Sequence, residues 1–91
     1  MANLGIFKID TDGEYTDLAT LTGLTFTTGT KYTMQAQNAG DELIVCTASS
    51  APSSGGFVIR DFEKFEYTPV DGVNLYVNTG GYGKVLLNIA S

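Results

Sequence analysis

The chain has 91 residues, five Lys and Arg against ten Asp and Glu, a net charge of −5, one Cys and no His. That length accommodates one hydrophobic core, and the basic residues Lys8, Lys31, Arg60, Lys64 and Lys84 are scattered, which disfavours nucleic acid and anionic membrane surfaces as partners. With Cys46 alone and His absent, there can be no intrachain disulfide, no zinc cluster of the Cys/His kind and no nucleophile activated by His. Abundant Thr and Gly, ten Phe and Tyr and only two Pro point to strands and turns. The expected fold is a single all-β domain over residues 1–91, a small antiparallel sandwich or barrel of about six to eight short strands. The first residues lack the basic and apolar regions of a secretion signal, and no apolar run is long enough to span a bilayer, so a cytosolic product is expected.

In chain order, residues 4–9 read as a strand and residues 10–13 as its turn. Residues 14–26 mix two periods. Leu18, Leu21 and Leu24 at three-residue spacing suit one helical turn, yet the Thr content and Gly23 argue for short strands. Residues 1–30 therefore form an amino-terminal segment of unassigned structure ahead of a β-sandwich core over residues 31–91. Residues 31–37 alternate, with Tyr32, Met34 and Ala36 on one face and Lys31, Thr33, Gln35 and Gln37 on the other. After the turn signal Asn38-Ala39-Gly40-Asp41, residues 42–48 are apolar on both sides, as in a central strand, and the two strands are expected to form a hairpin. Residues 49–56, Ser-Ser-Ala-Pro-Ser-Ser-Gly-Gly, predict an exposed, mobile loop.

Residues 57–59 resume a strand that turns at Arg60-Asp61. Residues 64–68 alternate Phe65 and Tyr67 against Glu66 and Thr68, and stop at Pro69, which cannot donate a ladder hydrogen bond. Beyond the Asp71-Gly72 turn, residues 73–78 place Val73, Leu75 and Val77 on one face. Residues 79–83 give another Gly-rich turn, and residues 84–90 face Val85, Leu87 and Ile89 inward. These last two strands are expected to pair as a hairpin over residues 73–89.

Motifs that carry chemistry reduce to turns and polar faces. Asp10-Thr11-Asp12-Gly13-Glu14 is similar to a calcium loop, but its Gly comes two positions early and no helix pair flanks it, so a β-turn is the reading. Glu63, Glu66 and Asp61 read as a solvated face rather than a catalytic pair, and Gly80, Gly81 and Gly83 as a turn rather than a phosphate loop. Cys46 reads as a small buried hydrophobe. No catalytic residue, metal site or cofactor is expected. The candidate contact surface is the outward face of the last hairpin, where Tyr76, Tyr82 and Leu86 are expected to cluster.

Several segments, taken in order, resemble small virion proteins of tailed bacteriophages of the head-decoration, head-fibre or auxiliary-capsid type. They are Tyr32-Thr33-Met34-Gln35 with Asn38 and Gly40, Ala51-Pro52 with Gly55-Gly56-Phe57-Val58-Ile59, Asn74-Leu75-Tyr76-Val77, and Val85-Leu86-Leu87-Asn88-Ile89-Ala90. The resemblance covers about two-thirds of the chain. It implies a non-enzymatic β-sandwich that assembles in the bacterial cytoplasm and binds the major capsid protein or other virion proteins. A tail, neck or fibre-base component is the alternative within that class. Outside it stands a carbohydrate-binding adhesion module, with Tyr76 or Tyr82 as a stacking platform and Asn74, Asn78 and Asn88 as hydrogen-bond partners. Self-association, as a trimer, is expected from outward apolar residues on so small a domain.

Overall fold

The computed structural model describes residues 3–11, 13–37, 42–60, 62–80 and 84–91. Its elements in chain order are β1 (Asn3–Ile9), β2 (Thr16–Asp17), α1 (Leu18–Thr22), β3 (Tyr32–Ala36), β4 (Leu43–Ala48), β5 (Phe57–Ile59), β6 (Lys64–Tyr67), β7 (Asn74–Asn78) and β8 (Val85–Ala90). They form two four-stranded sheets of order β1-β8-β3-β6 and β2-β7-β4-β5, with antiparallel pairing throughout. Two four-stranded antiparallel sheets with this interleaved order make an eight-stranded jelly roll. The expected all-β sandwich is thus the observed fold.

The topology corrects both expected hairpins. β3 lies in the first sheet and β4 in the second, and β7 and β8 are divided the same way. Six residues separate the strands of each pair, at positions 37–42 and 79–84, and about 20 Å of extended chain exceeds the roughly 10 Å between packed sheets. Each pair therefore stacks face to face across the core. Among consecutive described strands only β4 and β5 pair side by side, with Leu43, Ile44 and Val45 opposite Ile59, Val58 and Phe57.

The inward alternation holds in either arrangement. Met34 and Ala36 on β3, Leu43 and Val45 on β4, Leu75 and Val77 on β7, and Val85, Leu87 and Ile89 on β8 are all buried. Burying each of these side chains other than Ala36 contributes about 1.5 to 3 kcal/mol before the entropy of ordering is subtracted. Phe26 closes one end of this core by meeting Tyr32 and Tyr67 edge-on, at centroid distances of 5.0 and 5.7 Å.

Residues 18–22 are helical, against the expectation of short strands. Asp17 caps the helix, its carboxylate accepting from the Ala19 N–H at 3.0 Å. Gly23, at φ 74°, ends it and donates to the Ala19 carbonyl. With both caps supplied, the helix buries Leu18 completely and packs Leu21 and Leu24 on the core. The three-residue spacing outweighed the strand propensity of Thr.

A buried polar clamp joins the β1–β2 turn to the end of β7. The Thr11 hydroxyl accepts from the Thr79 N–H at 2.9 Å and donates toward Asn78 Oδ1 at 3.3 Å. Asn78 also donates to the Gly13 carbonyl and accepts from the Gly80 N–H. All of these contacts except the local Gly80–Asn78 one join the turn to the strand end, so the clamp ties the β1–β2 turn to β7.

Candidate functional site

The expected contact residues do not converge. Tyr76 pairs with Cys46 and Asp17 on the outer face of the second sheet. Leu86 pairs with Lys8 on the outer face of the first. Both are half-buried, and the whole sandwich lies between them, so they cannot form one patch. Tyr82 falls outside the described residues. The physical cause is the division of β7 from β8: alternation put both side chains outward, but outward from different sheets.

Each outer face has its own character. On the first sheet, Ile6, Asn88, Gln35 and Lys64 share one row. Asn88 Oδ1 is buried there without a hydrogen-bond partner among the described residues. On the second sheet the 49–56 connection turns back against β4. The Tyr15 hydroxyl donates to the Gly55 carbonyl at 2.5 Å, and Gly56 lies directly against the Val45 carbonyl. Cys46 occupies this face half-buried, its thiol 3.8 Å from the Thr47 carbonyl, rather than sitting in the core as expected.

Large apolar side chains are exposed on β1 (Leu4, Ile6), ahead of β7 (Val70) and, most strongly, on β5 and in the turn after it. Phe57 is 77% exposed, Val58 46% and Phe62 64%. Pairing puts Phe57 on the same side of its sheet as buried Val45, but β5 is the edge strand and little covers it. Between the β5 and β6 edges a cleft of about 470 Å³ opens toward the core, walled by Phe57, Ile59, Phe65 and Leu75. Apolar side chains exposed beside a cleft mark contact sites more reliably than isolated ones do.

Phe62 is held at φ 64°, the only non-glycine residue with positive φ among those described. A bulky residue in that conformation is strained by about 1 to 3 kcal/mol. Its N–H donates to the Ala36 carbonyl at 2.7 Å and its carbonyl accepts from Gln35 Nε2 at 2.9 Å. β3 thus pins both backbone groups while the ring faces solvent. A nearby turn is braced by Glu63, whose carboxylate accepts from the Arg60 N–H at 2.8 Å. Glu66 pairs with Lys31 at 2.9 Å and Arg60 with Glu42 at 3.3 Å.

Phe57 and Phe62 carry little contact signal in the sequence. Phe57 looked like an ordinary first residue of a strand, and the one available signal for Phe62 was a lone aromatic set between Asp61 and Glu63. The described residues hold no group of three or more His, Cys, Asp or Glu placed to bind a metal. No described helix is long and apolar enough to cross a membrane. Compared with protein-family models, curated proteins and solved structures, the chain matches none, so the phage resemblance rests on the segments quoted above.

Proposed function

We propose that this chain is a non-enzymatic structural component of a tailed-phage virion, a decoration or auxiliary head protein that binds the major capsid protein. The observation that carries the reading is the β5 rim, where Phe57 and Val58 stand exposed at an apolar cleft and Phe62 is exposed in the turn that follows. Aromatic anchors next to a pocket are the usual centre of a protein contact. Support also comes from the architecture, since jelly rolls recur among viral capsid proteins and lectins, although a fold by itself does not assign a function. Glu63 and Glu66, the nearest approach to an acid pair in the sequence, are engaged in a turn and an ion pair.

On a symmetric shell, many weak contacts of one kind combine through avidity. Self-association as a trimer belongs to the same proposal, and a strict monomer in light scattering at high concentration would count against that part. Mass spectrometry of purified virions is the direct test of the role. High copy number is the expected result, a few copies per particle would place the chain at the neck, tail or fibre base, and absence from the particle would refute the proposal.

A further inference from the structure

A second pocket, of about 380 Å³, lies between the 24–28 loop, the turn before β7 and the start of α1. Its volume is at the lower end of the range for small-ligand sites, roughly 300 to 1,000 Å³. Its walls carry the carboxylates of Asp17 and Asp71, the carboxamide of Asn74 and the side chain of Tyr67, with Phe26 and Pro69 as apolar surface. No Lys or Arg lines it, so an anionic ligand would meet only like charge.

Each carboxylate commits one oxygen to the fold. Asp17 accepts from the Ala19 N–H at 3.0 Å and Asp71 from the Thr28 hydroxyl at 3.1 Å. The loop is fastened further by Gly29 N–H donating to the Pro69 carbonyl and Thr27 N–H donating to the Tyr32 hydroxyl. The wall is therefore pre-organised, which lowers the ordering cost of binding.

From this wall chemistry we infer that the pocket is a binding site for a neutral sugar, of one or two rings. A carboxylate only accepts hydrogen bonds, a carboxamide both donates and accepts, and a phenol can donate. The Tyr67 phenol is protonated at neutral pH and can donate, and burial and the Asp17 charge raise its pKa further. Sugar hydroxyls donate and accept at once, and their C–H faces pack on apolar rings. A simple cation would use the two carboxylates and leave the donors of Asn74 and Tyr67 without acceptors.

The test is a heteronuclear NMR titration of the whole chain with neutral hexoses and disaccharides, and with choline and spermidine as cation probes. At least one sugar should give saturable shifts confined to the pocket, at residues 17–19, 24–28, 67 and 69–75. Binding should weaken about tenfold in Asn74→Ala, the loss of one or two hydrogen bonds, and similarly in Asp71→Asn. Asn74 is exposed, so the first variant keeps the fold, and circular dichroism verifies both. The inference is overturned if only the cations shift the pocket, if no probe does, or if sugar shifts persist unchanged in both variants. Neither variant touches the β5 rim, so virion attachment reports on the proposed function independently.

Discussion

Replacing Gly56 with Ala is the sharpest test of how the 49–56 connection is seated. A Cβ at this position would lie 2.5 Å from the Val45 carbonyl oxygen, 3.1 Å from Ile44 Cγ2 and 3.2 Å from Cys46 Cβ. The first contact is with the backbone of a central strand, so no side-chain rotation relieves it. The residue also sits at φ 109°, where an L side chain adds strain of about 1 to 3 kcal/mol. Pushing the connection off β4 costs about 1 to 3 kcal/mol more, the usual range for overpacking. The combined loss of about 2 to 6 kcal/mol is a large share of the roughly 5 to 14 kcal/mol available to a domain of this size. Gly55→Ala is the matched control: φ is 93° but nothing lies within 4 Å of the added carbon, so only the backbone strain remains. Urea unfolding followed by circular dichroism measures both, and hydrogen exchange at Val58 shows whether β5 detaches first. Equal destabilisation by the two substitutions would refute the close seating of Gly56 on β4.

Thr11→Val should lower stability by about 2 kcal/mol, because the buried Thr79 N–H and Asn78 Oδ1 both lose a partner; a loss below about 0.5 kcal/mol in urea unfolding would show the clamp to be dispensable. Tyr67 should ionise above the ordinary tyrosine value in an ultraviolet titration, since burial first, then the charge of Asp17 and then Tyr32 raise its pKa above 10.0. Because the folded state holds that proton more tightly than the unfolded state, the associated stability is fully present below pH 10 and is lost as pH rises through the folded pKa. Asp17→Asn should move the Tyr67 titration toward lower pH, and no movement would remove Asp17 as a cause. Phe62→Gly should raise stability by about 1 kcal/mol through relief of the positive-φ strain while reducing incorporation into virions, and a variant that incorporates normally would separate the strain from any contact role.

Much of the fold was legible because burial imposes its own period. Met34 and Ala36, Leu75 and Val77, and Val85, Leu87 and Ile89 were placed inward from alternation alone, and all are buried. The end of β6 before Pro69 and the turn at Asp71-Gly72 followed from backbone chemistry that no tertiary contact can override. Pairing was not legible. A strand with one apolar face satisfies the same pattern whether its successor lies beside it or across the core from it, and a six-residue Gly-rich connection permits both. Residues 18–22 failed for a different reason. Thr was weighed as a strand former, but Asp17 and Gly23 supply both caps of a short helix, and the caps decide so short a segment.

That single ambiguity in pairing also displaced the candidate site. Treating β7 and β8 as neighbours made Tyr76 and Leu86 one patch; stacking them puts the sandwich between the two. The consequence reaches the opposite end of the sheet order. When the two sheets stack across the core in matching order, their outermost strands lie over each other at each end of the sandwich with no further strand to cover them. At one end these are β5 and β6, with three and four residues each. Such short edges limit unwanted strand pairing, but they also leave the interior of the sandwich close to the surface. Phe57 and the cleft are therefore products of the topology, whereas the strain at Phe62 is not, because a glycine there would make the same two backbone hydrogen bonds to β3 without it. Phe57 and Val58 exposed at that cleft, and a ring held at an energetic cost in the turn beyond β5, are what favour the proposed contact at this rim.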